Sequence, residues 1–114
     1  MTVDTITAKS RRILQDTVEP YRWSSDEIRK YLDEGILSLH RVRPETRYVN
    51  GLLNDRVEIP APEDEDQRIT IDACFEEALV YFVVYKCYLV DDTDTVNAQL
   101  AEMYLQKFNT KAQL

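Results

Sequence analysis

The chain has 114 residues with two glycines, four prolines and 44% apolar side chains; this allows one domain with a modest core and argues against disorder and against a many-turned β-sandwich. Its formal charge is −7, with 21 acidic residues against 14 basic ones, whereas a free-standing nucleic-acid binder draws its affinity from displacing phosphate counterions and is normally basic. The first residues hold no apolar signal core, and the longest apolar run, Ala78 to Val90, is interrupted by Lys86 and too short to span a bilayer, so a soluble, cytoplasmic protein is expected.

The pattern predicts an all-α fold in a single domain, 1–114: a four-helix bundle-like protomer with helices at about 3–16, 24–41, 73–90 and 95–110 and an extended or hairpin arm over 42–71. In the first helix Val3, Ile6, Ser10, Ile13 and Leu14 share one face, while Lys9, Arg11 and Arg12 fall elsewhere and are expected at the surface. Glu19-Pro20-Tyr21 then breaks the helix, because proline disfavours a helical residue before it.

The second helix has the clearest start signal. Ser24 followed by Glu27 is a capping box, and Trp23 before the cap with Ile28 inside it has the spacing of a hydrophobic staple. Ile28, Tyr31, Leu32, Ile36 and Leu39 form the inner stripe. Gly35 lies within it, at a cost of about 1 kcal/mol against alanine, and reads as a close helix–helix contact.

Helical periodicity disappears between Val42 and Ile71, where Pro44, Asn50-Gly51, Asn54-Asp55, Pro60 and Pro62 break or turn the chain. Arg56–Ile59 and Arg68–Ile71 alternate polar with apolar residues, as half-buried strands do, around a stiff acidic tip, PAPEDEDQ. The arm reads as a surface hairpin or as a projecting interaction element. The third helix, capped by Asp72, is apolar nearly all round, so it is either central or shared with another subunit. After Asp91–Asp94, the last helix presents Val96, Leu100, Met103, Tyr104 and Phe108 as its stripe.

Reactive chemistry is sparse. A single histidine, His40, excludes a multi-histidine metal site, and there is no phosphate loop, no GxGxxG and no CxxC. Cys74 and Cys87 stand roughly 20 Å apart along a helix at ~1.5 Å per residue, beyond disulfide reach, and are expected as buried free thiols. The run Glu63, Asp64, Glu65, Asp66 lacks the spacing of a calcium loop and reads as a solvated charge run. No catalytic set, metal or cofactor is expected. The cluster Arg41, Arg43 and Arg47, with His40 and Tyr48 beside it, has two readings. Cations complement the exposed carbonyls of a helix C-terminus, which Pro44 then stops; alternatively, the arginines meet carboxylates on another subunit or partner. Direct DNA reading from this cluster is the weakest alternative.

The order of short blocks adds a resemblance. "ILQD" followed by "RWSSDEIRKYLDEGILSLHRVRPE", a later "IP", then "FEEALVYFVVYKCYLVDD" and a final "YLQKF" (Tyr104–Phe108) together resemble phage head–tail adaptor (head-completion) proteins over about two-thirds of the chain. The resemblance implies a non-enzymatic virion component assembled in the host cytoplasm, commonly a dodecamer, forming a ring under the portal protein. Such a ring extends the DNA channel without sequence-specific binding and offers a surface to tail or tail-completion proteins. In that setting the third helix and the irregular middle are expected to make subunit contacts. Arg41, Arg43 and Arg47, with Tyr48 beside them as a contact residue, would face a neighbour's acids such as Glu63, Asp64, Glu65 and Asp66 or Asp91 and Asp92. A small helical DNA-binding regulator and a generic helical oligomerisation module are the rival readings.

Overall fold

The computed structural model describes residues 1–49, 52–53, 69, 71–90 and 95–113, with 47–49, 52–53 and 95 described by their backbone alone. The fold is all-α. Its helices are α1 (Val3–Leu14), α2 (Ser25–Val42), α3 (Glu76–Val90) and α4 (Thr95–Ala112), each within two residues of the expected bounds except at the start of α3. There Asp72 caps a separate 3-10 turn, Ala73–Phe75, its carboxylate accepting from the Cys74 amide at 3.0 Å before the α-helix begins. That turn changes the phase of the chain. Cys74 consequently points to solvent, against expectation, while Cys87 is buried.

The short extended pairing also differs from the expected one. Strands β1 (Tyr48–Val49) and β2 (Leu52–Leu53) pair antiparallel, with Val49 opposite Leu52, around Asn50-Gly51, whose sequence favours a tight hairpin turn. The expected strand Arg56–Ile59 lies outside the described residues. Of Arg68–Ile71, Ile69 and Ile71 are buried, and the Ile69 amide donates to the Met1 carbonyl at 3.1 Å. This segment therefore closes against the start of the chain.

Helix α3 is central and packs against α1, α2 and α4. Ala78, Leu79, Val80, Phe82, Val83, Val84 and Cys87 are all buried within the protomer. Of the two readings open for this helix, central or shared with another subunit, the protomer shows the central one. Its neighbours cover most of its apolar side chains, and of these Leu89 and Val90, at its end, are substantially exposed, at 42% and 60%. The stripe of α2 is buried as expected, and Gly35 is its point of closest approach. A Cβ there would lie 2.9 Å from Phe82 Cδ1 and 3.3 Å from Phe82 Cβ. The Phe82 ring in turn meets Phe108 of α4 edge-on, with ring centroids 5.1 Å apart. On α4 the stripe is rotated from the expected one. Ala101, Phe108 and Ala112 are buried, whereas Val96 and Met103 are exposed, because small alanines let α4 lie close along α3.

The loop between α1 and α2 is tied by a buried ion pair that periodicity misassigns. Arg11, expected at the surface, is 6% exposed. Its Nη1 donates to Asp16 Oδ2 and to the Trp23 carbonyl, both at 2.9 Å, and its guanidinium lies 3.9 Å from the Tyr21 ring centroid. Asp16 also accepts the backbone amides of Arg22 at 2.9 Å and Trp23 at 3.2 Å. α1 itself ends early, since Gln15 turns left-handed at φ 57° and its amide and that of Asp16 bond back to Arg12 and Arg11. Trp23, held in this way, is buried beside Ile28, and Ser24 caps α2. Ser24 Oγ accepts from the Glu27 amide at 3.1 Å and donates to the Glu27 carboxylate at 3.4 Å.

Substitutions at two positions test these contacts by urea denaturation. Gly35→Ala gains about 1 kcal/mol of helix propensity but overpacks Phe82 at about 1–3 kcal/mol, so a net loss of about 1 kcal/mol is expected; a stabilised variant would contradict the contact. Asp16→Ala strands a buried guanidinium and two amides and is expected to lose about 3–5 kcal/mol, with Trp23 emission shifting red. Asp16→Asn, which retains an acceptor, should lose less.

Candidate functional site

The sequence placed its candidates at the end of α2, and the geometry there is that of a helix stop. Arg43 is the C-cap, its amide donating to the Leu39 carbonyl at 2.7 Å. Its Nε lies 3.2 Å from Glu45 Oε1 and its guanidinium 5.7 Å from the Phe75 ring centroid. His40 is buried, with Nδ1 2.6 Å from Thr46 Oγ1. The Thr46 hydroxyl also lies 2.8 Å from the Arg43 carbonyl, to which it donates, so His40, Thr46 and the last turn of α2 form one hydrogen-bonded chain. This histidine secures the turn after α2. Arg41 is exposed. The side chains of Arg47 and Tyr48, and all of Glu63, Asp64, Glu65 and Asp66, lie outside the described residues, so their pairing across subunits is neither made nor broken here.

Away from the end of α2, three ion pairs among the described residues stitch the helices. Lys86 Nζ lies 3.2 Å from Glu34 Oε2, joining α3 to α2; Lys9 of α1 pairs with Glu76; Lys111 of α4 lies 3.1 Å from Glu77. The last two flank a surface that the sequence did not single out. Two open hollows, of about 460 and 280 Å³, share Tyr81 at their junction. α4 lines the larger with Met103, Lys107 and Lys111, and α1 lines the smaller with Lys9, Arg12 and Ile13. Lys107 Nζ lies 5.5 Å from the Tyr81 centroid and 5.2 Å from that of Tyr104, within cation–π range. Tyr104 stacks in turn on Tyr88 at 6.0 Å. The signal for this surface was divided among three helices whose relative rotation only packing decides.

Among the described residues, no group of three or more His, Cys, Asp and Glu side chains gathers to hold a metal ion, and no helix is long and apolar enough to cross a membrane. The thiols differ. Burial pushes Cys87 up to about 12, with the Glu27 and Asp16 carboxylates adding to the rise, so it is a poor nucleophile at neutral pH. Burial also raises Tyr31, helped by Cys87, and Tyr88, helped by Tyr104. No family model, curated protein or solved structure matches the chain.

These shifts set an alkaline limit on stability. Groups whose folded pKa is raised contribute fully below their unfolded pKa, 9.0 for cysteine, and lose that contribution as pH climbs toward about 12. The urea midpoint is expected to fall between about pH 9 and 12, less steeply in Cys87→Val, while a thiol reagent at neutral pH modifies only Cys74 until the chain unfolds. Equal reactivity of both thiols in the folded protein would contradict the burial of Cys87.

Proposed function

We propose that the chain is a structural head-to-tail adaptor of a tailed phage virion. It acts as one protomer of a ring beneath the portal, prolonging the DNA channel and offering the surface to which tail proteins attach. What supports this reading is the position of the residues that carry the resemblance. Asp16 of "ILQD" and Trp23 of "RW" belong to one hydrogen-bonded knot. Gly35 of "YLDEG" lies against Phe82 of "YFVVYK", and Phe82 meets Phe108 of "YLQKF". The blocks thus coincide with the junctions that make the protomer rigid, as suits a part that works by its placement among copies. The charge of −7 suits a channel wall that repels passing DNA. On this reading the end of α2 and the acidic arm contribute to contacts with neighbours or the portal.

Electron microscopy of particles made with and without this protein is the test. A ring of copies at the portal–tail junction, and heads lacking tails when the protein is missing, are expected. Its absence from that junction, or its presence there as an isolated copy, would overturn the reading.

A further inference from the structure

The paired hollows around Tyr81 gather cations and apolar side chains outside the core of this acidic chain. Lys9, Arg12, Lys107 and Lys111 border them, four of the chain's 14 basic residues, against the acids Glu76 and Glu77. Lys9 and Lys111 are neutralised by those glutamates. Arg12 has no acidic partner among the described residues, and Lys107 is held over the faces of Tyr81 and Tyr104. The floor between these two free cations is Tyr81 with Ile13, Val80 and Met103, Met103 being 40% exposed. A ligand that fits has negative charge for the rim and a rigid apolar element for the tyrosine.

The chain contains a segment of that description. Pro60-Ala61-Pro62 is followed directly by Glu63, Asp64, Glu65 and Asp66. Prolines reduce the conformational entropy that a segment loses on docking, and aromatic grooves bind proline-containing segments well. The carboxylates that follow supply charge for Arg12 and Lys107, where an arginine fork accepts a carboxylate with two parallel bonds. Residues 54–68 have a contour of about 50 Å at ~3.3 Å per residue, enough to reach an adjoining molecule. We infer that the α1–α3–α4 groove centred on Tyr81 is a docking site for the Pro60–Asp66 segment of a second copy of this chain.

Such a contact is head-to-tail, with groove on one molecule and segment on the next, so it propagates from copy to copy. It also moves the cationic partner of the acidic run from the α2 terminus, where Arg43 is engaged by Glu45, to the opposite ends of α1 and α4. The inference deepens the ring reading and rests on it for its setting alone.

The test titrates the full-length protein, labelled with nitrogen-15, with a synthetic PAPEDEDQ peptide at low salt. Amide shifts are expected to concentrate at Arg12, Ile13, Tyr81, Met103 and Lys107. Raising salt from about 50 to 500 mM should weaken binding at least tenfold, as contacts between exposed charges are screened. PAPQNQNQ, which lacks the charges, should bind at least tenfold more weakly. Arg12→Glu with Lys107→Glu should abolish the shifts, whereas the exposed α2 control Lys30→Glu should leave them unchanged. The double variant's unaltered helical circular dichroism would show that it still folds. A diluted sample whose groove shifts persist without added peptide would mean that the segment docks within its own chain, overturning the second-copy assignment. No shifts, or shifts centred on the end of α2, would overturn the groove itself. Neither result bears on the micrographs, so the two proposals fail separately.

Discussion

The approach of α2 to α3 at Gly35 and Phe82 is the constraint on which the remaining packing depends. Without a side chain at 35, the Phe82 ring lies flush on the α2 backbone, its Cβ within van der Waals range of where a Gly35 Cβ would stand. The same ring presents its faces and edges to Tyr85, at 5.5 Å, and to Phe108, at 5.1 Å. One aromatic thus sets the spacing of α2, α3 and α4 together. A methyl group at 35 displaces the ring, and the ring displaces α4. Close packing of this kind is felt at the level of single methylenes, which is why a glycine that weakens its own helix strengthens the domain.

Charge is sorted by depth around that centre. Arg11 and Asp16 form a buried pair whose remaining donors and acceptors are taken up by the backbone of the α1–α2 loop. Such a pair is a weak source of net stability, but breaking it is expensive, so it specifies one path for the loop. The outer pairs, Lys9 with Glu76, Lys86 with Glu34 and Lys111 with Glu77, are partly exposed and contribute little each. Their effect is to leave Arg12 and Lys107 as the cations of the Tyr81 surface.

This sorting changes the basis for assembly. Read as a helix wheel, α3 is either central or shared with a second molecule, because apolar residues surround it. Folded, it receives α1, α2 and α4, and of its apolar residues Leu89 and Val90 stay well exposed. Association therefore has less apolar area to draw on than the sequence suggests. On the proposed reading, association draws on electrostatic and aromatic recognition at the periphery and responds to salt.

By itself the sequence determined what is local: four helices with bounds within three residues, the Ser24 cap, the stop before Pro44 and the all-α class. Each depends on neighbours three or four positions away, where periodicity, caps and prolines act directly. The role of Gly35 was legible too, since a glycine inside an apolar stripe has few other uses. Only the tertiary structure decided which side of each helix is inside. It buried Arg11, because Asp16 and the Trp23 carbonyl arrive from a loop whose path no periodicity encodes. It rotated α4 onto its alanines, turned Cys74 outward through a 3-10 turn, and assembled the Tyr81 groove from three helices. The candidates Arg41, Arg43 and Arg47 were visible as a cluster because they are close in sequence. Arg12, Tyr81 and Lys107 are neighbours only in space, and the free energy that brings them together belongs to the packing of α3.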